Sequence, residues 1–414
     1  MKLYLLYEKL NIIRNIVKNK NSPDLQNFTT IELDRIFLAT QPKNIYCGSD
    51  SIFIIDKNKN VWGCGKTGNN IFTYNLTQIP YLENIIQIIS RQGYSLFLDV
   101  NDIMYLCGSS FKAIVDPKHI YKQYEDYQIP VIVPNLPKMT KIAGFSSSIL
   151  MLDFIGNVFI CESPSPYDRE HHHGGGNYEH KYAQLKYNIP TKISNVSNII
   201  DIAVGESIYL LLNNKGVAFY FVNERRNNYY KLDKDIITSI PTEITSFAEI
   251  QQIDNTLIAK NPTHIISVQC GIAHFILLDK YGDVYSFGNN CTGQLGINFI
   301  QDKKLGTTPT KIPSLHNIIS ISTLSNNSLA LDMNGKVFGF GMKHKNFFTL
   351  NATNLILPIK LDFYNITQIS IYYEHHLLMN NNGVIYAMGD NSAGQLSIGC
   401  KTRSVKTPTK IFTL

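Results

Sequence analysis

The densest group of potential metal ligands in the sequence consists of three adjacent histidines, His171, His172 and His173. Arg169 and Glu170 precede them, three glycines follow them, and the whole stretch spans residues 164–187. Imidazole nitrogens can bind a transition metal, but adjacent residues of one loop cannot build a tetrahedral site alone. We therefore expect no metal here, and we interpret the stretch as a loop available to a binding partner.

Patterns typical of covalent catalysis are absent from the sequence. It has no phosphate-binding glycine loop, no GxSxG nucleophile turn, no HExxH zinc motif and no paired carboxylates in a supporting context. We therefore expect neither a cofactor nor an enzyme that acts by covalent chemistry.

Seven cysteines are spread through the chain without any CxxC spacing, which makes a structural zinc site improbable. Cys64, Cys107 and Cys161 occupy equivalent places in three similar segments, and Cys47 and Cys270 share a second equivalent place. Cysteines in equivalent places of different segments point to the packed core of a reduced protein, because disulfide partners would have to meet each other.

Charge and hydropathy narrow the class of protein further. The net charge of +6 over 414 residues is too small a surplus to indicate nucleic-acid binding. No apolar run approaches the roughly 18 residues of a membrane span, and Glu8 and Lys9 interrupt the first apolar patch too early for a secretory signal. Apolar spacing in residues 1–20 suits a short amphipathic helix, so we predict an N-terminal arm over residues 1–26.

The elements that must position any site are repeats. Each repeat contains two strand-like runs joined by a four-residue turn that begins with Asp or Asn, which predicts a type I turn with a following bulge. The turn residues, which serve as anchors for the repeat, lie 43 to 66 residues apart. They are Asp56, Asp99, Asp153, Asn213, Asp279, Asp332 and Asn380.

Each anchored hairpin is preceded by another strand signal and by a short run that contains proline, so each repeat offers four short strands. Seven such units predict an all-β fold, a seven-bladed β-propeller of four-stranded antiparallel blades over residues 27–414. Separate β-sandwiches would not place similar residues at the same position of each repeat. Three insertions exceed the basic unit, at residues 110–127, 164–187 and 221–262.

The sequence suggests how the ring closes. The chain ends in KTPTKIFTL, which reads as a first strand of a blade with no hairpin after it. We expect this strand to pair with the first hairpin near Val61, which would join the two termini in one sheet and leave no free edge. A segment near Ile31, TTIELDRIF, competes for the same place.

Two stretches carry a resemblance to a known family. CGIAHFILLDKYGDVYSFGNNCTGQLG at residues 270–296 and GVIYAMGDNSAGQL at residues 383–396 resemble the repeat of the regulator of chromosome condensation family. The resemblance covers roughly residues 44–414 and implies a seven-bladed propeller. WD-repeat propellers are disfavoured, because Trp62 is the only tryptophan and no Trp-Asp pair exists.

In the family's best-known member one face binds the Ran GTPase and expels its nucleotide. Acidic and histidine side chains before the inner hairpin strand are implicated there. In this chain the family histidine is matched at two repeats, by His274 and His375, and five repeats lack it. The nearby carboxylates are Asp50, Glu206 and Glu374. The resemblance thus implies these five as candidate GTPase contacts; the alternatives are hydrogen bonds between blades for the histidines and solvated rim charges for the carboxylates.

A loop wedge that follows a blade's third strand is also implicated in the family. The stretch with Arg169, Glu170 and the three histidines follows a predicted third strand, so the resemblance implies that it is the wedge. The segment 221–262 is rich in aromatic residues and arginine, which suits a protein interface.

Two functions remain open from sequence. The first is a guanine-nucleotide exchange factor for a Ran-like small GTPase, acting by protein–protein contact from one face. The second is a propeller scaffold without exchange activity, which the missing histidines favour. We expect a cytoplasmic monomer without nucleic-acid partners. Its compartment would be the host cytoplasm if the source is an intracellular bacterium, and the absence of a basic import cluster makes the nucleus a weaker choice.

Overall fold

The described part of the chain folds into seven small sheets, six of them antiparallel and one mixed. The computed structural model describes residues 42–411 apart from 68–70, 92, 109, 112–113, 116–126, 163–188, 207, 223–241, 246, 251–256, 261–263, 299–305, 343–354, 374 and 400–401. No α-helix occurs in this described part. The predicted N-terminal helix and the segment near Ile31 lie outside it.

The first four blades follow one another along the chain, each with its strands in sequence order. Blade 1 contains β1 (Pro42–Cys47), β2 (Ser51–Asp56), β3 (Val61–Thr67) and β4 (Ile71–Gln78). Blade 2 contains β5 (Ile85–Arg91), β6 (Tyr94–Asp99), β7 (Met104–Gly108) and β8 (Tyr127–Ile132). Blade 3 contains β9 (Met139–Phe145), β10 (Ser148–Asp153), β11 (Val158–Glu162) and β12 (Thr191–Lys192). Blade 4 contains β13 (Ile199–Val204), β14 (Ile208–Asn213), β15 (Ala218–Val222) and β16 (Thr242–Glu243).

The last three blades repeat this order after one additional hairpin. That hairpin consists of β17 (Phe247–Ile250) and β18 (Leu257–Lys260). Blade 5 contains β19 (Ile265–Cys270), β20 (His274–Asp279), β21 (Val284–Gly288) and β22 (Gly306–Lys311). Blade 6 contains β23 (Ile318–Leu324), β24 (Asn327–Asp332), β25 (Val337–Gly341) and β26 (Leu355–Lys360). Blade 7 contains β27 (Ile366–Tyr372), β28 (His375–Asn380), β29 (Ile385–Asp390) and β30 (Ser404–Ile411).

The first strands of the blades surround a central axis. Each contacts the first strand of the next blade, in the order β1, β5, β9, β13, β19, β23 and β27, and β27 returns to β1. This closed sequence of seven contacts confirms the predicted propeller. Apolar residues of the second strands fill the space between neighbouring sheets, and β2, β6, β10, β20 and β24 are buried along their whole length.

The predicted turns between second and third strands are confirmed, and they define what we call the turn face. At Asp153, Asp279 and Asp332, Oδ1 accepts hydrogen bonds of 2.7–3.1 Å from the backbone N–H groups two and four residues later. Asn213 and Asn380 do the same through their amide oxygens. A short acceptor that bonds its own following turn explains why only Asp or Asn serves as the anchor.

The opposite face, which we call the loop face, carries the connections from first to second strands and from third to fourth strands. This follows from the antiparallel order, because each strand reverses the direction of the one before it. Two of the three predicted insertions, 110–127 and 164–187, connect a third strand to a fourth strand and so start and finish on the loop face; their interiors lie mostly or wholly outside the described residues. The third, 221–262, contains β16 and the additional hairpin.

The additional hairpin makes blade 5 six-stranded, which the repeat pattern does not predict. Strand β17 pairs in parallel with β22, with Ala248 opposite Thr310, and β18 forms the outer edge. The other six blades have four strands as predicted.

Ring closure differs from the prediction. The C-terminal strand β30 pairs with β29 inside blade 7, and β4 completes blade 1, so among the described strands no sheet joins the two ends of the chain. Strand exchange is unnecessary because residues 71–78 already supply a fourth strand to the first hairpin. Ile79 then donates its N–H to Val61 O at 2.8 Å, as Ile312 does to Val284 O at 2.8 Å in blade 5.

The seam between blades 7 and 1 is therefore held by contacts between complete sheets. Cys47 N donates to Ser370 Oγ at 2.8 Å, and Ile45 N donates to Gln368 Oε1 at 3.3 Å. Gln87 makes the equivalent bond between blades 2 and 3, accepting Ile142 N–H at 2.9 Å. The third residue of the first strand is polar in all seven blades. At Gln87, Lys141, Asp201 and Gln368 its side chain bonds to the next blade.

Candidate partner-binding face

The family histidine corresponds to the first residue of each second strand, just beneath the loop face. We call the seven residues at this position the histidine column. Every member of the column is buried, whatever its residue type. The members are Ser51, Tyr94, Ser148, Ile208, His274, Asn327 and His375. The column therefore lies between blades and not on the exposed surface of the loop face.

His274 forms a bridge from blade 5 to blade 6. Its Nε2 lies 2.9 Å from Ser328 Oγ, and burial lowers the pKa of the imidazole to about 3, so the ring is neutral. A Cβ added to Gly271 would overlap the imidazole and also the carbonyl of Ser325. The spacing Cys-Gly-x-x-His thus has a physical cause: the glycine leaves the space that the histidine fills.

His375 forms the matching bridge across the seam, from blade 7 to blade 1. Its Nε2–H donates to the carbonyl oxygen of Ser51 at 3.3 Å. Burial lowers the pKa of His375 to about 4, although the bond to Ser51 and the charge of Asp390 oppose this. Ser148 meets the next blade in the same way, accepting the hydroxyl of Tyr209 at 3.1 Å. These bonds fit the structural alternative for the histidines, and their contact with a partner stays a prediction.

Asp50 lies in the connection between β1 and β2, half-buried at the loop face. Its backbone oxygen accepts the N–H of Lys66 at 2.7 Å, which fixes the connection against β3. Burial raises the pKa of the Asp50 carboxyl, the Lys66 charge lowers it, and the Asp390 charge raises it. Two carboxylates and one lysine therefore share the junction of blades 1 and 7 on this face.

Glu206 occupies the equivalent connection of blade 4. Its backbone N–H donates to Ile272 O of blade 5 at 3.1 Å, and Ile272 N–H donates to Ser325 O of blade 6 at 2.8 Å. The connections are thus linked from blade to blade by their main chains, which leaves the half-exposed Glu206 side chain on a rigid support. Glu374 lies outside the described residues, between Tyr373 and His375.

The two GQL stretches follow third strands at the loop face and are internally bonded. Asn290 Oδ1 accepts Leu295 N–H at 3.0 Å, and Asn391 Oδ1 accepts Leu396 N–H at 2.9 Å. Gln395 Nε2 donates to Asp390 Oδ2 at 2.7 Å. Because both asparagines and Gln395 are buried, these residues shape the loop and do not offer a free binding group.

A feature that the sequence analysis missed lies where the first strands reach the loop face. The guanidinium carbon of Arg91 in blade 2 sits 5.2 Å from the ring centroid of Tyr372 in blade 7. Arg91 Nε also donates to Gly144 O of blade 3 at 2.7 Å. One side chain thus links three blades around the axis, with the half-exposed Tyr373 beside it. No local sequence motif predicts this contact, because Arg91 and Tyr372 lie far apart in the sequence.

The predicted wedge, Arg169, Glu170, His171, His172 and His173, lies outside the described residues. Its supports are β11, which ends at Glu162, and β12, which begins at Thr191. In the described part of the chain, no group of three potential ligands is placed to hold a metal ion. The described residues also contain no helix long and apolar enough to cross a membrane.

Comparison with known families agrees with the geometry. Residues 281–331 and residues 366–395 each match the family described as Regulator of chromosome condensation (RCC1) repeat. The first match runs from the turn of blade 5 into the second strand of blade 6, and the second covers the first three strands of blade 7.

Curated relatives match only part of this chain. Probable E3 ubiquitin-protein ligase HERC6 of Homo sapiens is 28% identical over 162 residues, which are 37% of this chain and 16% of that protein. Protein pim1 of Schizosaccharomyces pombe is 30% identical over 144 residues, which are 32% of this chain and 26% of that protein. This chain therefore matches well under a third of the length of either relative.

Solved structures share the fold over most of the chain. Prp20p from Saccharomyces cerevisiae, reported with its binding properties to Gsp1p and histones, has a TM-score of 0.63 at 20% identity, covering 91% of this chain and 87% of that one. Human WBSCR16 has a TM-score of 0.61 at 15% identity, covering 84% of this chain and 88% of that one. At these identities the likeness concerns the fold alone.

Proposed function

Because this chain is a seven-bladed propeller of RCC1-type repeats, we propose that its loop face binds a Ran-like small GTPase and accelerates release of the bound nucleotide. The observation that supports this is the shared placement of Asp50 and Glu206 on the connections between first and second strands, which lie on one face. Prp20p, with the same fold, was reported with its binding to Gsp1p.

The proposed action needs no covalent chemistry. Carboxylates on a rigid face can compete for the basic side chains that hold nucleotide phosphates, and they can disturb the bound magnesium. Asp50 suits this role because a second carboxylate, Asp390, acts on it electrostatically together with Lys66. The buried His375 contributes by bonding the carbonyl of Ser51, the residue after Asp50, and His274 contributes by bonding blade 5 to blade 6.

The test is release of a fluorescent GDP analogue from Ran and from a panel of related GTPases, with excess unlabelled GDP and catalytic amounts of this protein. We expect acceleration with at least one GTPase. The double variant Asp50→Lys/Glu206→Lys should lower the rate about tenfold or more, which corresponds to about 1.4 kcal/mol of lost complementarity. The matched control is Glu83→Lys on the turn face, which should leave the rate within about twofold. No acceleration with any member of the panel would remove the proposal.

A second function is favoured by one specific observation, the loss of the family histidine from five blades. A scaffold needs the rigid ring but no nucleotide-expelling contacts. Affinity capture from a eukaryotic lysate, with and without EDTA to strip nucleotide from GTPases, separates the two. An EDTA-dependent GTPase in the eluate supports exchange, whereas EDTA-independent capture of other proteins through the loop face supports a scaffold. For either function we propose action in the cytoplasm, which a fluorescent fusion of the full chain would test.

A further inference from the structure

Exposed apolar side chains collect on the turn face, opposite the face proposed for the GTPase. The second residue of the first strand sits at a β-bulge beside the anchored turn, as the register shifts between Ile85 and Gln87 and at equivalent places show. In four blades this residue is isoleucine, and its exposed fraction is 38–57%. We call the following residues the apolar arc: Ile86, Phe154, Ile200, Ile266, Ile319 and Met333.

Backbone hydrogen bonds join the arc positions of successive blades. The turns of blades 3 to 6 each meet the start of the next first strand: Ile199 N–H donates to Gly156 O at 3.2 Å, and Ile318 N–H donates to Gly282 O at 3.0 Å. Phe154 and Met333, each more than 60% exposed, are carried by two of these turns. The arc spans blades 2 to 6, although blade 3 has Thr140 at the bulge position and contributes Phe154 from its turn; the bulge positions of blades 7 and 1 are Thr367 and Lys43. A patch of this kind on one face marks a binding surface.

The chain itself supplies an occupant at the right place. Pro42, where the described chain begins, pairs with Asp56, the turn residue of blade 1, so the N-terminal segment reaches the ring on the turn face. The segment joins the ring at blade 1, where the bulge position is polar. Leu3, Leu6, Leu10, Ile13 and Val17 alternate at spacings of three and four residues, which would form one apolar stripe of a helix.

The lengths are compatible. A helix over residues 1–20, which ends before Pro23, would be about 30 Å long. The 21 residues between it and Pro42 can extend to about 70 Å, so this linker does not confine the helix to blade 1. We propose that the N-terminal arm docks on the apolar arc of the turn face through an amphipathic helix at residues 1–20. This leaves the loop face free and does not depend on the proposed GTPase activity.

The first experiment measures binding of the dye bis-ANS to the full-length protein and to two full-length double variants. Leu6→Asp/Ile13→Asp places charges on the apolar stripe, and Asn11→Asp/Asn15→Asp places the same charges on the opposite side of the predicted helix. We expect low dye binding for the wild type and the control, and an increase of about threefold or more for Leu6→Asp/Ile13→Asp. Equal dye binding by all three proteins would overturn the proposal.

The second experiment probes the same contact from the arc, with the triple variant Ile200→Ser/Ile266→Ser/Ile319→Ser. These side chains are exposed, so their replacement leaves the blade interiors intact. Trypsin should cleave after Arg14 and Lys18 at least about threefold faster in the triple variant than in the wild type, because the segment is released. Unchanged cleavage would contradict docking. A wild-type dimer that the triple variant dissociates, or arc-dependent binding to lipid vesicles, would assign the arc to a second copy or to a membrane and would also overturn the proposal.

Discussion

The turn face and the loop face are built from the same seven repeats, yet they differ in how closely the repeats agree. On the turn face every anchor is Asp or Asn, and the turns that follow have nearly the same length. On the loop face the connection between third and fourth strands ranges from the three residues between β3 and β4 to the 28 residues between β11 and β12. The repeat is thus strict where neighbouring turns must fit each other and relaxed where a partner can be recognised, which is where loops commonly carry function.

The largest expected difference between the faces appears in acid. His274 and His375 beneath the loop face have pKa values lowered from 6.5 to about 3 and about 4, because burial disfavours the imidazolium. The unfolded chain therefore takes up protons below pH 6.5 that the folded chain refuses, and stability falls as the pH is lowered. For His375 the loss by pH 4 is on the order of 3 kcal/mol.

Chemical denaturation as a function of pH measures this loss. His375→Gln should be less stable at pH 7 but should show a shallower decline between pH 6.5 and 4. On the turn face burial raises the pKa of Asp279, so protonation there works in the opposite direction. A pH dependence that His375→Gln leaves unchanged would mean that the buried imidazoles do not set the acid limit.

A methyl group at Gly271 tests the packing beneath the loop face. The added Cβ of Gly271→Ala would overlap the His274 ring, which is fully buried and cannot swing outward. We expect a loss of about 2–3 kcal/mol, typical of forced overpacking. Thermal unfolding would show it as a lower Tm, and His274→Ser in the same chain should restore part of the loss by removing the overlapping ring. Additive effects of the two substitutions would contradict the overlap.

On the turn face the expected loss of stability is smaller, and it depends on whether the new side chain still accepts hydrogen bonds. Asp332 Oδ1 accepts the N–H groups of Asn334 and Lys336 at 2.9 and 2.8 Å. Asp332→Ala removes both bonds and should cost about 2 kcal/mol. Asp332→Asn keeps an acceptor, as Asn213 and Asn380 do in their own blades, and should stay within about 0.5 kcal/mol of the wild type. Equal losses for both variants in urea unfolding would show that the carboxylate charge, not the acceptor, holds the turn.

More of the turn face than of the loop face could be predicted from the sequence, because each turn is determined by residues that lie close together in the chain. Asp279 and Gly282 specify a turn by themselves, without contacts from another blade. The recurrence of such residues along the sequence therefore identifies the repeats. Closure was predicted wrongly because the C-terminal TPTKI stretch was recognised as a strand while residues 71–78 were not. A signal was present: Gln78-Ile79-Pro80 before Asn84 parallels Lys311-Ile312-Pro313 before Asn317.

Contacts between blades are harder to predict from one sequence. The column position of His274 and His375 was found, but its orientation toward the next blade depends on how two sheets pack. The pairing of Arg91 with Tyr372 joins blades on either side of the seam, at a sequence separation that no repeat spacing encodes. Strands β17 and β18 have no counterpart among the described strands of the other blades, so periodicity could not reveal them.

Hydrogen–deuterium exchange of the full chain, alone and with a nucleotide-free Ran-like GTPase, tests the central claim most directly because it reports on both faces at once. We predict slower exchange at the loop face, in peptides containing Asp50 and Glu206, with the anchored turns around Asp153 and Asp332 unchanged. Protection confined to the turn face, or no protection anywhere, would contradict the account.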